Sequence, residues 1–340
     1  MSPNHVNQSF FQKFKQNKRG YFCLIFLSAV FAISLFAEFI ANDKPIFLKF
    51  DGKYHLPIIQ TITEKELGGE FETQADFRDK AVLKIISSDP SNIIIWPSVR
   101  FSYDTINYEA TLPAPSGPNK DNILGTDDQG RDVFARTLYG IRISLLFGIA
   151  LSSLSLILSI LIGASQGYFA GKVDILGQRF IEIWSSMPTL FLLIILSSMI
   201  HPGFFSLLFL LLLFSWIGLS SVIRAEFLRI KNFDFVIAAK ALGASNLRIM
   251  LKHILPNASP LIVASLPFLV SGSIVTLTSL DFLGLGMPAG SPSLGELLAQ
   301  GKNNIDAYHL GITGFIVISV ILTILIFVGE ALRDAFDVRK

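Results

Sequence analysis

Residues 232–256 read NFDFVIAAKALGASNLRIMLKHILP, a polar-flanked insert between strongly apolar segments. Phe235, Ala238, Ala239 and Leu242 fall at i, i+3, i+4 and i+7, which predicts a short helix carrying them on one face. Asp234 stands where it can cap that helix, and Gly243 where it can end it in a left-handed turn. Ser245 can cap a second helix, in which Leu247, Met250, Leu251 and Ile254 repeat the spacing and Arg248 and Lys252 take the opposite, wet side. Pro256 should prevent simple continuation, because it lacks an N–H and crowds the preceding turn. A helix of about eight residues is marginal alone in water, so something must hold its apolar face. That face has a flat centre, Ala238 and Ala239, rimmed by Phe235 and Leu242, a shape suited to insertion into a groove. An ordinary helical hairpin packed on its own protein is the other reading.

Outward from this hairpin the chain is membrane-like. Of 340 residues, 51% are hydrophobic and only 16% charged, too apolar for an ordinary soluble domain. The net charge of +2, without a concentrated basic stripe, gives no sign of nucleic-acid binding. A single cysteine, Cys23, excludes an internal disulfide. Residues 1–20 form a polar tail carrying Lys13, Lys15, Lys18 and Arg19. Residues 21–41 are apolar apart from Ser28, Ser34 and Glu38, long enough to cross ~30 Å of hydrocarbon. A signal peptide would need a small residue where Phe39 stands, so an uncleaved anchor is the favoured reading.

Residues 42 to about 137 have balanced charge and many turn residues, a soluble insert that with its elbow helix extends to 142. Ile93, Ile94, Ile95 and Trp96 suggest strands there, and residues 113–118, PAPSGP, suggest an extended linker. Residues 124–145 follow as LGTDDQGRDVFARTLYGIRISL. Thr126 or Asp127 is placed to cap an amphipathic helix presenting Val133, Phe134, Leu138 and Ile141, with Arg131, Asp132 and Arg136 turned outward. Asp127, Asp128 and Asp132 lack the spacing of a calcium loop.

Five more spans are expected, at roughly 143–168, 181–200, 204–223, 260–282 and 310–330. The Lys and Arg of the short loops set the orientation. An inside N-terminus puts Lys172, Arg179, Arg224, Arg229, Lys231, Lys240, Arg248, Lys252, Arg333, Arg339 and Lys340 inside, against Lys302 in the short outside loops. Both termini and the hairpin are then cytoplasmic.

Enzymatic motifs fail one by one. The G-x-S-x-G at Gly163–Gly167 lies inside an apolar helix without a preceding strand, and Gly163, Gly167 and Gly171 recur every four residues, as close helix packing requires. Gly52-Lys53, Gly171-Lys172 and Gly301-Lys302 are followed by Tyr54, Val173 and Asn303, so there is no P-loop. His5, His55, His201, His253 and His309 show no metal spacing. Asp281 ends the fifth span, where an ionisable group is costly and usually faces a cavity, a partner or the interface, with Lys302 or water as the bland partner. Glu38 and Glu330 lie at span ends, and Glu182 and Pro188 allow a kink in the third span.

The hairpin resembles the coupling loop of ABC-transporter permeases, E-A-A-x3-G-x9-I-x-L-P: Ala238-Ala239, Gly243 and Leu255-Pro256 match. Ile237 replaces the Glu and His253 the Ile, so the carboxylate is not indispensable here. Residues 125–136 are similar to the G-T-D-x-x-G-R-D-x-x-S-R signature of dipeptide/oligopeptide (DppC/OppC-like) permeases, with Ala135 for Ser. Residues 280–286 resemble their L-S-F-L-G-L-G, with Asp281 for Ser, and Leu294 stands for Trp before Gly295. FETQADFRD (residues 71–79), IIWP (94–97) and YDTIN (103–107) add the pattern of the YejE subgroup.

The resemblance implies an all-α integral membrane protein with six transmembrane helices of the ABC importer permease type and a periplasmic insert after the first. It implies a five-helix core over 143–340 containing the cytoplasmic hairpin, and residence in the bacterial inner membrane. The implied partners are a second permease, cytoplasmic ATPases that use ATP and Mg, and a periplasmic peptide-binding protein; this chain would bind no cofactor. The ATPase-coupling residues would be Phe235, Ala238, Ala239, Leu242, Gly243, Leu255 and Pro256, with Asp281 near the gate. A membrane-embedded hydrolase lacks paired catalytic residues, and a channel or secondary transporter would show inverted repeats or broken helices, neither of which the sequence displays.

Overall fold

A computed structural model describes residues 10–110, 112–200 and 203–336. His5, His201, Arg339 and Lys340 lie outside the described residues. In chain order come α1 (Phe10–Gln16), α2 (Lys18–Leu35), α3 (Ala37–Ile40), β1 (Phe47–Phe50), β2 (Lys53–His55), α4 (Lys80–Ser87) and β3 (Ile93–Ile95). Helices α5 (Val133–Phe169), α6 (Gly171–Ser185), α7 (Thr189–Met199), α8 (Phe204–Ser215) and α9 (Ile217–Ile230) follow. The hairpin contributes α10 (Asp234–Ala241), α11 (Asn246–Arg248) and a π turn (Ile249–Ile254), which runs into α12 (Leu255–Phe282). The last helices are α13 (Leu294–Asn303) and α14 (Tyr308–Phe336).

Among the described residues, four continuous helical runs are long and apolar enough to cross a bilayer: α2, α5, residues 246–282 and α14. Two bent pairs bring the total to six if each is one span: α6 with α7 at 69°, and α8 with α9 at 42°. The first bend falls where Glu182 and Pro188 allow a kink; the second, in the fourth span, overturns the expectation that no further helix is broken. At the first bend Pro188 precedes α7, and proline cannot donate the N–H a continuous helix needs. At the second, the Ser159 hydroxyl donates to the Trp216 carbonyl at 2.8 Å, and that carbonyl also keeps its helical bond from the Ser220 N–H at 3.0 Å.

The described parts of residues 1–28, 144–288 and 319–340 form one compact unit. One of its cores gathers Leu219, Ile223, Phe227 and Ile230 of α9 around Ile249, Ile254 and Ala258. Another joins Phe147 and Leu151 to Leu193, Leu207, Leu211, Leu277 and Leu280. A Cβ at Gly163 would strike the Ser220 carbonyl, and one at Gly167 would lie 2.6 Å from the Arg224 carbonyl, so α5 touches the α9 backbone at both. Gly171 departs from that pattern: it has φ +52 with open space around it and serves the turn between α5 and α6.

Residues 29–143 and 289–318 form the other unit. It holds a three-stranded antiparallel sheet, β2-β1-β3, in which Phe47 pairs with Ile95 and Lys49 with Ile93. Leu48 turns inward to pack with Leu67, Phe77, Val82 and Ile86. α5 runs unbroken from Val133, so the expected elbow helix and the next span are one helix.

Candidate functional site: the α10 hairpin and the buried polar loop

The hairpin begins where Phe233 bonds back to the Ile230 carbonyl at 3.0 Å. Phe233, extended and without a side-chain cap, occupies the N-cap position. Asp234 is thus the first helical residue instead of the expected cap; its charge there suits the positive end of the helix dipole. α10 ends as the sequence predicts. Gly243 has φ +81, the Gly243 N–H reaches the Lys240 carbonyl at 3.0 Å, and the Ala244 N–H reaches the Ala239 carbonyl at 3.1 Å. Ser245 takes the N-cap position of α11 but makes no side-chain cap bond.

Pro256 does prevent simple continuation, as the sequence predicts, but the second helix runs on into α12 by way of a π turn. The π turn comes first, and its end hands the Leu255 N–H to the Met250 carbonyl, five residues back. Carbonyls displaced in this way leave room for a proline ring in the first turn of α12. The widened turn also changes which residues share a face. Ile249 and Ile254, five apart, are both fully buried, while Leu247 and Leu251 are exposed.

The expected single face of α10 is split as well. Ala239 is only 9% exposed and packs inward beside Val236, Ile249 and Ile254. Phe235, Ile237, Ala238, Ala241 and Leu242 remain exposed, Leu242 at 89%. The hairpin is therefore held by its own protein through one side and presents a second, unpartnered apolar side. Val236, one residue beyond the predicted stripe, was the missing inward anchor. Leu255 is half-buried, Pro256 exposed. The Tyr168 hydroxyl donates to Asn246 Oδ1 at 2.7 Å, tying α5 to the hairpin, and Arg224 of α9 pairs with Asp174 of α6, Nη2 to Oδ2 at 2.7 Å.

Asp281 closes a turn: its Oδ1 accepts the Met287 N–H at 2.7 Å.

The loop before α5 is the most polar interior of the other unit. Arg131 donates to Asp127 at 2.7 Å, and Arg136, 0% exposed, donates to Glu296 at 2.8 Å and to the Ser291 carbonyl at 3.0 Å. Asp132, not Thr126 or Asp127, caps α5: its Oδ1 accepts the Ala135 N–H at 2.7 Å and its Oδ2 accepts from Asn122 at 2.8 Å. Burial raises the Asp132 carboxyl above the ordinary carboxylate range, and does the same to Asp128 with help from neighbouring Asp127. The expectation that Arg131, Asp132 and Arg136 face outward is overturned. The two arginines pair with Asp127 and Glu296, while Asp132 is held by hydrogen bonds alone and keeps the penalty of burial. Asn122, Glu296 and Gln300 belong to the cluster and were not visible in the motif. Among the described residues, no group of three or more His, Cys, Asp or Glu side chains could hold a metal ion.

Residues 138–340 match the family described as binding-protein-dependent transport system inner membrane component. The chain belongs to that family of ABC-transporter permeases. The permease is 50% identical over 335 residues to the inner membrane ABC transporter permease protein YejE of Escherichia coli (strain K12), covering 98% of both chains. It is 49% identical to the peptidoglycan transport system permease protein YejE of Agrobacterium fabrum, covering 97% of this chain and 92% of that one. To the oligopeptide transport system permease protein OppC of Bacillus subtilis it is 34% identical, covering 70% and 77%. Among solved structures, the inward-facing MetNI methionine ABC transporter superposes with a TM-score of 0.52 at 15% identity, covering 60% of the permease and 98% of that chain. The permease is thus an integral inner-membrane transport subunit of the YejE subgroup, and ATP hydrolysis belongs to a separate subunit.

Proposed function

We propose that this permease imports peptides or peptide-like compounds, including peptides released from peptidoglycan, delivered by a periplasmic binding protein. The names of its relatives support that substrate class. It works with a second permease and two cytoplasmic ATPases, which use ATP and Mg. Both termini and the hairpin lie in the cytoplasm; residues 42–142 lie in the periplasm. α10 seats its outward side, Phe235, Ala238 and Leu242, in an ATPase groove, while Val236 and Ala239 bind it to the permease core. Gly243 and the Leu255-Pro256 base set its angle. Closure of the ATPases then moves the spans through this rigid contact. Asp281 acts at the outer end of the path by holding the turn to Met287, not by contacting substrate.

The observation that carries the coupling assignment is the exposure of Leu242, 89%, on a helix already anchored by its opposite side. Leu242→Asp and Ala238→Asp each put an unpaired carboxylate into the docking contact, a cost of several kcal/mol on the order expected for desolvating a lone charge. Each variant should insert at wild-type level, lose co-purifying ATPase subunits and lose uptake, while Lys240→Ala behaves as wild type. Ala239→Asp, by contrast, should reduce the amount of folded permease. If Leu242→Asp keeps both ATPase association and uptake, the outward side is not the coupling surface.

A further inference from the structure

Helices α5, α7, α8 and α12 line a half-open cavity of about 500 Å³, within the range of small-molecule sites. Its wall along α12 is a strip of exposed positions, Phe268, Gly272, Val275, Thr276 and Ser279, at i, i+4, i+7, i+8 and i+11. Such spacing keeps them on one side of the helix for about 16 Å at 1.5 Å per residue. Ser152, Ser155 and Ser215 add hydroxyls from the facing helices, and among the described residues no charged side chain lines the space. Seven hydroxyls line this otherwise apolar space.

These hydroxyls are oriented in a consistent way. Thr276 Oγ1 donates to the Gly272 carbonyl at 2.9 Å and Ser279 Oγ to the Val275 carbonyl at 2.8 Å. Ser152 and Ser273 bond each other at 3.1 Å, and Ser155 bonds Ser215. A hydroxyl that has given its hydrogen to its own helix still has acceptor lone pairs. The cavity therefore offers hydrogen-bond acceptors without net charge. That chemistry suits the N–H groups of a peptide backbone, and it discriminates little between acidic and basic side chains. In a low-dielectric bundle a fixed charge would hold opposite-charged peptides and repel like-charged ones.

We propose that this cavity is this subunit's share of the peptide path, with Thr276 and Ser279 contacting the peptide backbone, and that its lack of charge makes passage independent of peptide charge. The proposal rests on the permease reading. It is separable from that reading, since the docking variants of the hairpin test the latter without touching the cavity.

The test uses the whole transporter, permease and partners, with labelled tripeptides of net charge −1, 0 and +1. In a Cys23→Ser background, Thr276→Cys is allowed to fold and assemble, then modified with a sulfonate-bearing or a trimethylammonium-bearing methanethiosulfonate. The expected result is at least a tenfold loss of anionic-peptide uptake relative to cationic after sulfonate modification, and the reverse after ammonium modification. Gly272→Phe, which meets open space at its Cβ, should depress all three while leaving ATPase association unchanged. If neither modification alters uptake, or if both depress the three peptides equally, the path does not pass Thr276 and the proposal fails.

Discussion

Asp132 is an acidic side chain with no exposed surface and yet no lack of partners. Its two oxygens are divided between the start of α5 and Asn122, so it fixes the helix entry and the loop together. Burial is the larger influence and raises its folded pKa above 3.8. The folded state then holds the proton more tightly than the unfolded one. Its contribution to stability is complete below pH 3.8 and is lost as pH rises through the folded pKa. Asp132→Asn keeps an acceptor for the Ala135 N–H but has no proton to lose. Thermal unfolding of the purified full-length protein should therefore fall less steeply above pH 3.8 in Asp132→Asn than in the natural sequence. Parallel curves would show that the buried carboxylate carries no ionisation cost. The G-T-D-x-x-G-R-D run was legible as a loop before a helix, but its burial was not. Its distant partners, Asn122 hydrogen-bonded to Asp132 and Glu296 paired with Arg136, sit 10 and 160 residues away, beyond any local pattern.

At the scale of the element, the hairpin was readable in its boundaries and misleading in its sides. Gly243 marks a left-handed end with little ambiguity, because few other residues enter that conformation cheaply. The helical repeat, however, also admits a rotation of the stripe by one residue. Core packing makes that choice, burying Val236 and Ala239 and leaving Ala238 out. The π turn is less legible still, since spacing rules assume 3.6 residues per turn and the widened turn sets Ile249 and Ile254 in register instead. Removing the Ile254 side chain should cost ~2–5 kcal/mol, the range for emptying a large aliphatic core position. Leu251→Ala, on the exposed side of the same turn, should stay within about 0.5 kcal/mol. Chemical denaturation of the two variants separates the registers, because an ordinary α-helix would bury position 251 on the same stripe as 247 and 254. Equal losses would mean that the turn is not π-wound in the working protein.

At the scale of the molecule, apolar length and the positive charges of short loops carried most of what could be read. The count of six survives only because two spans are bent pairs; the first bend is written in the sequence as Pro188, whereas nothing comparable marks the second, at Trp216. Orientation rests on a different physical effect, the retention of Lys and Arg on the cytoplasmic side. The bends leave that effect untouched. Arg229, Lys231, Lys240, Arg248 and Lys252 crowd the hairpin and its approach, while Lys302 stands almost alone on the opposite loops. With Cys23→Ser as background, Ser91→Cys in the insert and Ile305→Cys after α13 occupy exposed positions, as does Ser245→Cys in the hairpin. An impermeant thiol reagent applied to intact spheroplasts should label the first two and spare the third, which reacts only after the membrane is opened. Because all three sites are exposed in the folded chain, a difference between them reports the side of the membrane and not local burial. Labelling of Ser245→Cys in intact spheroplasts would put the hairpin outside, away from any cytoplasmic ATPase, and would remove the basis for the coupling surface at Leu242.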